Sequence, residues 1–178
     1  MSRLPVLFIS HGSPSYALAP GIAGPQLTAL GRSLPKPQAV LVVSPHWITP
    51  SVKVGATPSP KTIHDFGGFD PALYTIDYPV TGHPGIAAIT HALLNAKGWA
   101  ATLDERRGID HGVWVPLRHL YPLADVPAFQ VSMPARLNSA SAYEFGQALA
   151  PLADEGVLII GSGSLTHNLN EFRSANGE

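Results

Sequence analysis

Three short runs of this chain hold almost nothing suited to water. Residues 6–10 (VLFIS), 39–44 (AVLVVS) and 157–160 (VLII) are apolar and largely β-branched. A strand with one wet face alternates polar and apolar side chains. These runs do not alternate, so each predicts a strand covered on both faces. Segments of helical period lie between them. Residues 21–32 carry Ile22, Leu27 and Leu30 and are stopped by Pro35 and Pro37. Residues 84–97 carry Ile86, Ile89, Leu93 and Leu94 and meet Gly98. Residues 113–121 and 139–153 predict two more helices, the last capped by Ser139 or Ser141. Residues 51–55, 99–103 and 129–133 are weaker strand candidates. Strands alternating with helices predict an α/β domain with a central, largely parallel or mixed sheet flanked by helices. In such sheets the site forms outside the carboxyl ends of the strands.

The chain has 178 residues, 45% of them hydrophobic and 13% charged, which suits one domain, residues 1–178, with a substantial core. Its 18 prolines and 17 glycines are spread along the chain, implying many shaped loops rather than a linker. Residues 56–79 form the longest such stretch, and loops of that length in compact domains are usually functional. There is no cysteine. Disulfides, thiolate zinc sites, iron–sulfur clusters and a cysteine nucleophile are excluded, so a metal site would have to use His, Asp or Glu. A net charge of −1 without a Lys/Arg cluster argues against a nucleic-acid or anionic-membrane surface. No run approaches the roughly 20 apolar residues of a membrane span. The apolar start is shorter than a signal-peptide core, so a cytoplasmic location is expected.

The eight histidines are not equivalent. His11 follows the first apolar run directly, before Gly12, Ser13 and Pro14. His46 stands between Pro45 and Trp47, two residues after the second run. His167 comes seven residues after the third, beyond a glycine- and serine-rich turn. All three are therefore expected at the carboxyl end of the sheet, around one divalent metal ion. His111 lies in IDHGVW and His64 in IHDFGGF, where the paired glycines suit a lid. Asp110 beside His111 is a carboxylate, but adjacent residues rarely bond face to face. His83, at a helix start, His91, within a helix, and His119, near a helix end where a cation suits the dipole, have structural readings. Competing chemistries lack their motifs. Ser13 has no Gly-x-Ser-x-Gly elbow, and the Gly161 turn has neither a Walker lysine nor full dinucleotide spacing.

Five motifs in order, SHGSP (10–14), VSPHW (43–47), TIHDFGGF (62–69), DHGVW (110–114) and LTHNL (165–169), closely resemble the DODA-type extradiol ring-opening dioxygenases. These form the 4,5-DOPA dioxygenase-like branch of the class III superfamily, which is related to the protocatechuate 4,5-dioxygenase β-subunit. The resemblance implies a non-haem Fe(II) enzyme that opens a catechol beside the diol with O2, with Zn(II) as another metal the site could bind. By position, His11 and His46 match metal ligands. His167 matches an acid/base residue next to the metal, and a ligand in zinc-substituted forms. His111 matches a histidine that either stands behind the metal ligands or faces the substrate, with a catalytic role, and His64 borders the pocket. Trp47, Phe66 and Trp114 would supply apolar walls for an aromatic substrate. The family's chains continue further and take another metal ligand from that part, so this chain is expected to be truncated at its C-terminus relative to the family. Two other readings of the same residues stay open: a zinc-dependent hydrolase, and a non-catalytic metal- or peptide-binding protein.

Overall fold

The computed structural model describes residues 3–164. Six strands form one sheet: β1 (Val6–Ser10), β2 (Ala39–Thr49), β3 (Lys53–Gly55), β4 (Thr102–Asp104), β5 (Ala128–Pro134) and β6 (Val157–Gly163). Four helices flank it: α1 (Ala23–Ser33), α2 (Pro84–Ala96), α3 (His111–Leu120) and α4 (Ser139–Leu149). The strand order is β1-β6-β2-β5-β3-β4. All neighbours run parallel except β3 and β5, so the sheet is mixed, as the sequence allowed. The three most apolar runs become the adjacent strands β1, β6 and β2. The last strand of the described chain inserts between the first two.

Two apolar layers cover the sheet, except at β1: contrary to expectation it is an edge strand with one open face, leaving Val6 and Phe8 more than half exposed. One joins Ile9, Val40, Val42, Ala128, Leu158 and Ile160 to Val113, Leu117 and Leu120 of α3. The other joins Ala39, Leu41, Phe129, Val131 and Ile159 to Ile86 and Leu94 of α2 and to Phe145 and Leu149 of α4. Alternate residues of one strand serve opposite layers, which is why the central runs carry no polar stripe.

Some boundaries differ from expectation for definable reasons. β2 does not end at Ser44 but continues through Pro45 and His46 to Thr49. Five steps along it, from Val43 to Ile48, face only two on β5, from Val131 to Met133. Pro45 has no N–H to give a ladder, and it sits where the ladder is broken. The cap of α4 is Asn138, whose side chain accepts from Ser141 N, while Ser141 returns the bond to the backbone of Asn138. The helix expected over 139–153 tightens into a 3-10 turn at Ala150–Ala153, where Pro151 cannot donate to the preceding turn. Helix α3 begins at His111, two residues earlier than expected. Among the described residues, no helix is long and apolar enough to cross a membrane.

Candidate metal centre

The layer that faces α3 changes character at the carboxyl end of the sheet. Continuing its alternation by two residues leads from Ile9 to His11 just past β1, from Val42 to Ser44 on β2, from Ala128 to Gln130 on β5 and from Ile160 to Ser162 on β6. Each of these polar residues is buried, and His11, Ser44 and Gln130 are at most 1% exposed. Buried polar groups must find partners. These find them at the first turn of α3.

Asp110, fully buried, precedes that turn. Its Oδ1 accepts from Ser44 Oγ (2.8 Å), and its Oδ2 accepts from Gln130 Nε2 (2.7 Å) and from the Arg107 guanidinium (3.3 Å). Gln130 Oε1 accepts from Asp110 N (2.9 Å), and Ser44 Oγ also accepts from His46 N (3.2 Å). This network fixes the start of α3 against β2 and β5. The fit leaves no room at Gly112, where a Cβ would come within 2.3 Å of Ser44 Oγ and 3.0 Å of the His46 ring.

Pro116 lies inside α3 and has no N–H for the carbonyl of Gly112, four residues earlier. Ser162 Oγ donates to that carbonyl instead. Its proton committed there, the Ser162 hydroxyl accepts from His11 Nδ1 (2.8 Å). His11 is thereby held as the Nδ1–H tautomer with its Nε2 lone pair facing forward. That Nε2 lies 3.1 Å from Nε2 of His46.

The third imidazole is His111. Its Nδ1 donates to Asp65 Oδ1 (2.9 Å), and its backbone N–H donates to the same oxygen (3.0 Å). Asp65 Oδ2 stands 3.9 Å from His46 Nδ1. Partial burial pushes the Asp65 pKa up, but the bonds from the His111 side chain and backbone outweigh it and hold the carboxyl below its ordinary value. The rings of His46 and His111 are 3.9 Å apart between centroids, and those of His11 and His46 are 5.0 Å apart. One ligand atom from each of His11, His46 and His111 lies within 4.8 Å of the others.

This donor set fits a divalent metal. Neutral imidazoles engaged from behind by hydroxyl or carboxylate, with lone pairs gathered in front, are the usual nitrogen ligands of first-row metals. The 3.1 Å between two Nε2 atoms is close to what ligands at about 2.1 Å from a common ion require.

An aromatic group closes one side. Phe66 meets the His111 ring edge-on at 5.6 Å and contacts Phe69, Tyr74 and Trp114. His64 packs on Phe66, Tyr74 and Trp114 while its Nε2 meets the carbonyl of Ile76 at 3.0 Å. Trp114 is fully buried and donates to the carbonyl of Ile63 (3.0 Å). The long loop is therefore seated on α3 through Ile63 and Asp65. Trp47 is also buried, under the Arg107 guanidinium at 5.2 Å.

Of the residues singled out from sequence, His11, His46 and His111 are brought together, with Phe66, His64 and Trp114 beside them. His167 lies outside the described residues. The carboxylate on His111 is Asp65, from the loop, while neighbouring Asp110 serves Ser44, Gln130 and Arg107. His83 caps α2, accepting from Ile86 N (3.1 Å). His119 differs from the dipole reading. Its Nε2 meets the carbonyl of Tyr16 at 3.0 Å, and burial lowers its pKa, favouring the neutral ring. Ser44, Gln130, Ser162 and Asp65 were not singled out. For the first three the signal was available as polar residues in the period-two slots of apolar strands.

The family model for the catalytic LigB subunit of aromatic ring-opening dioxygenase matches residues 6–178. The chain belongs to this family. It is 44% identical over 173 residues to the 4,5-DOPA dioxygenase extradiol of Escherichia coli (strain K12), covering 97% of this chain and 63% of that protein. It is 44% identical over 167 residues to the Beta vulgaris protein of the same name, covering 92% and 62%. The crystal structure of an uncharacterized protein from Escherichia coli K12 superposes with a TM-score of 0.75 at 35% identity, over 94% of this chain and 63% of that one. This LigB-family chain thus spans less than two thirds of the length of these relatives.

Proposed function

We propose that this LigB-family protein is a metal-dependent extradiol dioxygenase, opening a catechol-type, DOPA-like aromatic ring beside its diol with O2. The observation that carries the reading is the convergence of His11, His46 and His111 at the carboxyl ends of β1 and β2, beside an aromatic wall. Its membership of an aromatic ring-opening dioxygenase family supports it. His11 and His46 would hold the metal, with His111 as the third imidazole of the cluster. Fe(II) is the proposed metal, and a reducing cytoplasm would keep it reduced. A divalent ion there would acidify the catechol hydroxyls and bring the two reactants to one centre.

The chain's own residues supply the rest. Phe66, backed by Trp114 and His64, offers an apolar face to the substrate ring and keeps water from it. Ser162 and Asp65 keep protons on the rear nitrogens of His11 and His111, so their forward nitrogens accept rather than donate. His167 is proposed to take the second hydroxyl proton and later return it, a role suited to a reference pKa of about 6.5. Both atoms of O2 enter the product, so no external reductant is consumed.

The test is anaerobic loading of metal-free protein with Fe(II), followed by O2 and a catechol. A yellow semialdehyde chromophore should form with matching oxygen uptake, and its absence across DOPA, caffeate and protocatechuate would defeat the reading. Full turnover by His167→Ala would defeat the acid/base assignment alone. The all-imidazole cluster also suits zinc hydrolysis. That activity would need Zn(II) and no O2, so oxygen uptake separates the two.

A further inference from the structure

We propose that Asp65 is a positioning residue that sets the tautomer and orientation of His111, and that it does so only while the aromatic loop is seated on α3. One carboxylate oxygen receives both the backbone N–H and the Nδ1–H of His111. Two bonds to one oxygen hold the ring relative to its own backbone. They leave Nε2 as the nitrogen free of a proton. The second oxygen faces His46 Nδ1 at 3.9 Å, so the negative charge stands behind two of the three clustered imidazoles.

The backbone N–H that Asp65 accepts belongs to the first residue of α3, which its N-terminal amides leave without an intrahelical partner. An ionised carboxylate is favoured there by the helix dipole. The same loop is fastened one turn later, where Trp114 Nε1 donates to the carbonyl of Ile63. His111 and Trp114 share one face of α3, being three residues apart. They grip residues two apart on the loop. Phe66, next to Asp65, meets the His111 ring edge-on. Unseating the loop therefore removes the aromatic wall and the His111 acceptor together. A carboxylate behind an imidazole commonly changes metal affinity or activity by about 10–100-fold.

The proposal rests on the dioxygenase reading only for its activity arm. Its primary readout is the tautomer of His111, measured in metal-free protein by nitrogen-15 side-chain NMR, with the His111→Gln spectrum assigning the resonance. The wild type should show His111 protonated at Nδ1. Asp65→Ala should shift it toward a mixture or toward Nε2–H. Asp65→Asn keeps a weaker, uncharged acceptor of the same shape and should shift it less. Should Asp65→Ala fail to fold, the isosteric variant carries the test. An unchanged Nδ1–H population in the folded variants overturns the proposal, whatever the enzyme's activity. In an active Fe(II) enzyme, kcat should fall about 10–100-fold in Asp65→Ala, with partial recovery in Asp65→Asn. Absence of catechol turnover in the wild type with the tautomer shift intact would sink the dioxygenase reading and leave this one standing.

Discussion

The two faces of the sheet are built from the same strands, yet among the described residues only one of them gathers histidines into a candidate metal centre. On the face covered by α2 and α4, the two central strands stay apolar at the same depth: Leu41 leads to Val43, and Phe129 to Val131. On the face covered by α3 it stops short. Val42 is followed by Ser44, Ile160 by Ser162, and Ile9 by His11. The first face gains stability from burial alone. The second gives up apolar contacts for hydrogen bonds that are worth little net when made and cost more when broken. What it obtains is orientation: a proton fixed on the rear nitrogen of His11 and a helix start pinned through Asp110. Polar groups in a core are worthwhile where geometry matters more than stability.

Substitutions can break that contrast. The largest effect is expected from His46→Ala, which should abolish stoichiometric binding of Fe(II) or Zn(II) in calorimetry while leaving the circular dichroism spectrum unchanged. Retained binding would remove His46 from the metal site. Next, Leu94→Ala on the opposite face should cost about 2–5 kcal/mol in denaturant unfolding. Metal affinity per folded molecule should not change. A matching loss of affinity would mean the two faces are not independent. Gly112→Ala places a Cβ against Ser44 Oγ and the His46 ring, and should cost about 1–3 kcal/mol while also weakening metal binding. Gln130→Met, which strips Asp110 of a donor and an acceptor, should cost a similar 1–3 kcal/mol.

The smallest effect concerns the far end of α3, where the site face is again purely structural. Burial, and then the charge of Asp125, push Tyr121 up to about 12; burial, Asp125 and Tyr121 raise Tyr78 as well. Unfolded tyrosines ionise near 10. The unfolded state therefore loses protons first, so this stabilisation is complete below pH 10 and declines as pH rises toward 12. Melting temperature should fall above pH 10, less steeply in Tyr121→Phe. A slope unchanged by that variant would assign the loss to other groups.

His11 and His46 could be read from the chain because each closely follows an apolar run that has no other use for it. His111 was placed near the other two only by resemblance; its spacing did not show it, since it arrives on a helix rather than a strand. Asp65 was invisible for a simple reason. Its bond to His111 spans 46 residues, and nothing local marks one loop carboxylate among several. Pro116 leaves the carbonyl of Gly112 without its helical donor. Only the approach of Ser162 to the carbonyl it releases gives it a role.

By itself, then, the sequence determined the strands, the layers and the end of the sheet at which chemistry would gather, because hydrophobic periodicity and chain direction are local properties. The tertiary structure decided which nitrogens face one another and which protons they carry. Tautomers depend on partners brought from β6, from the loop and from the first turn of α3, and no spacing along the chain encodes those distances.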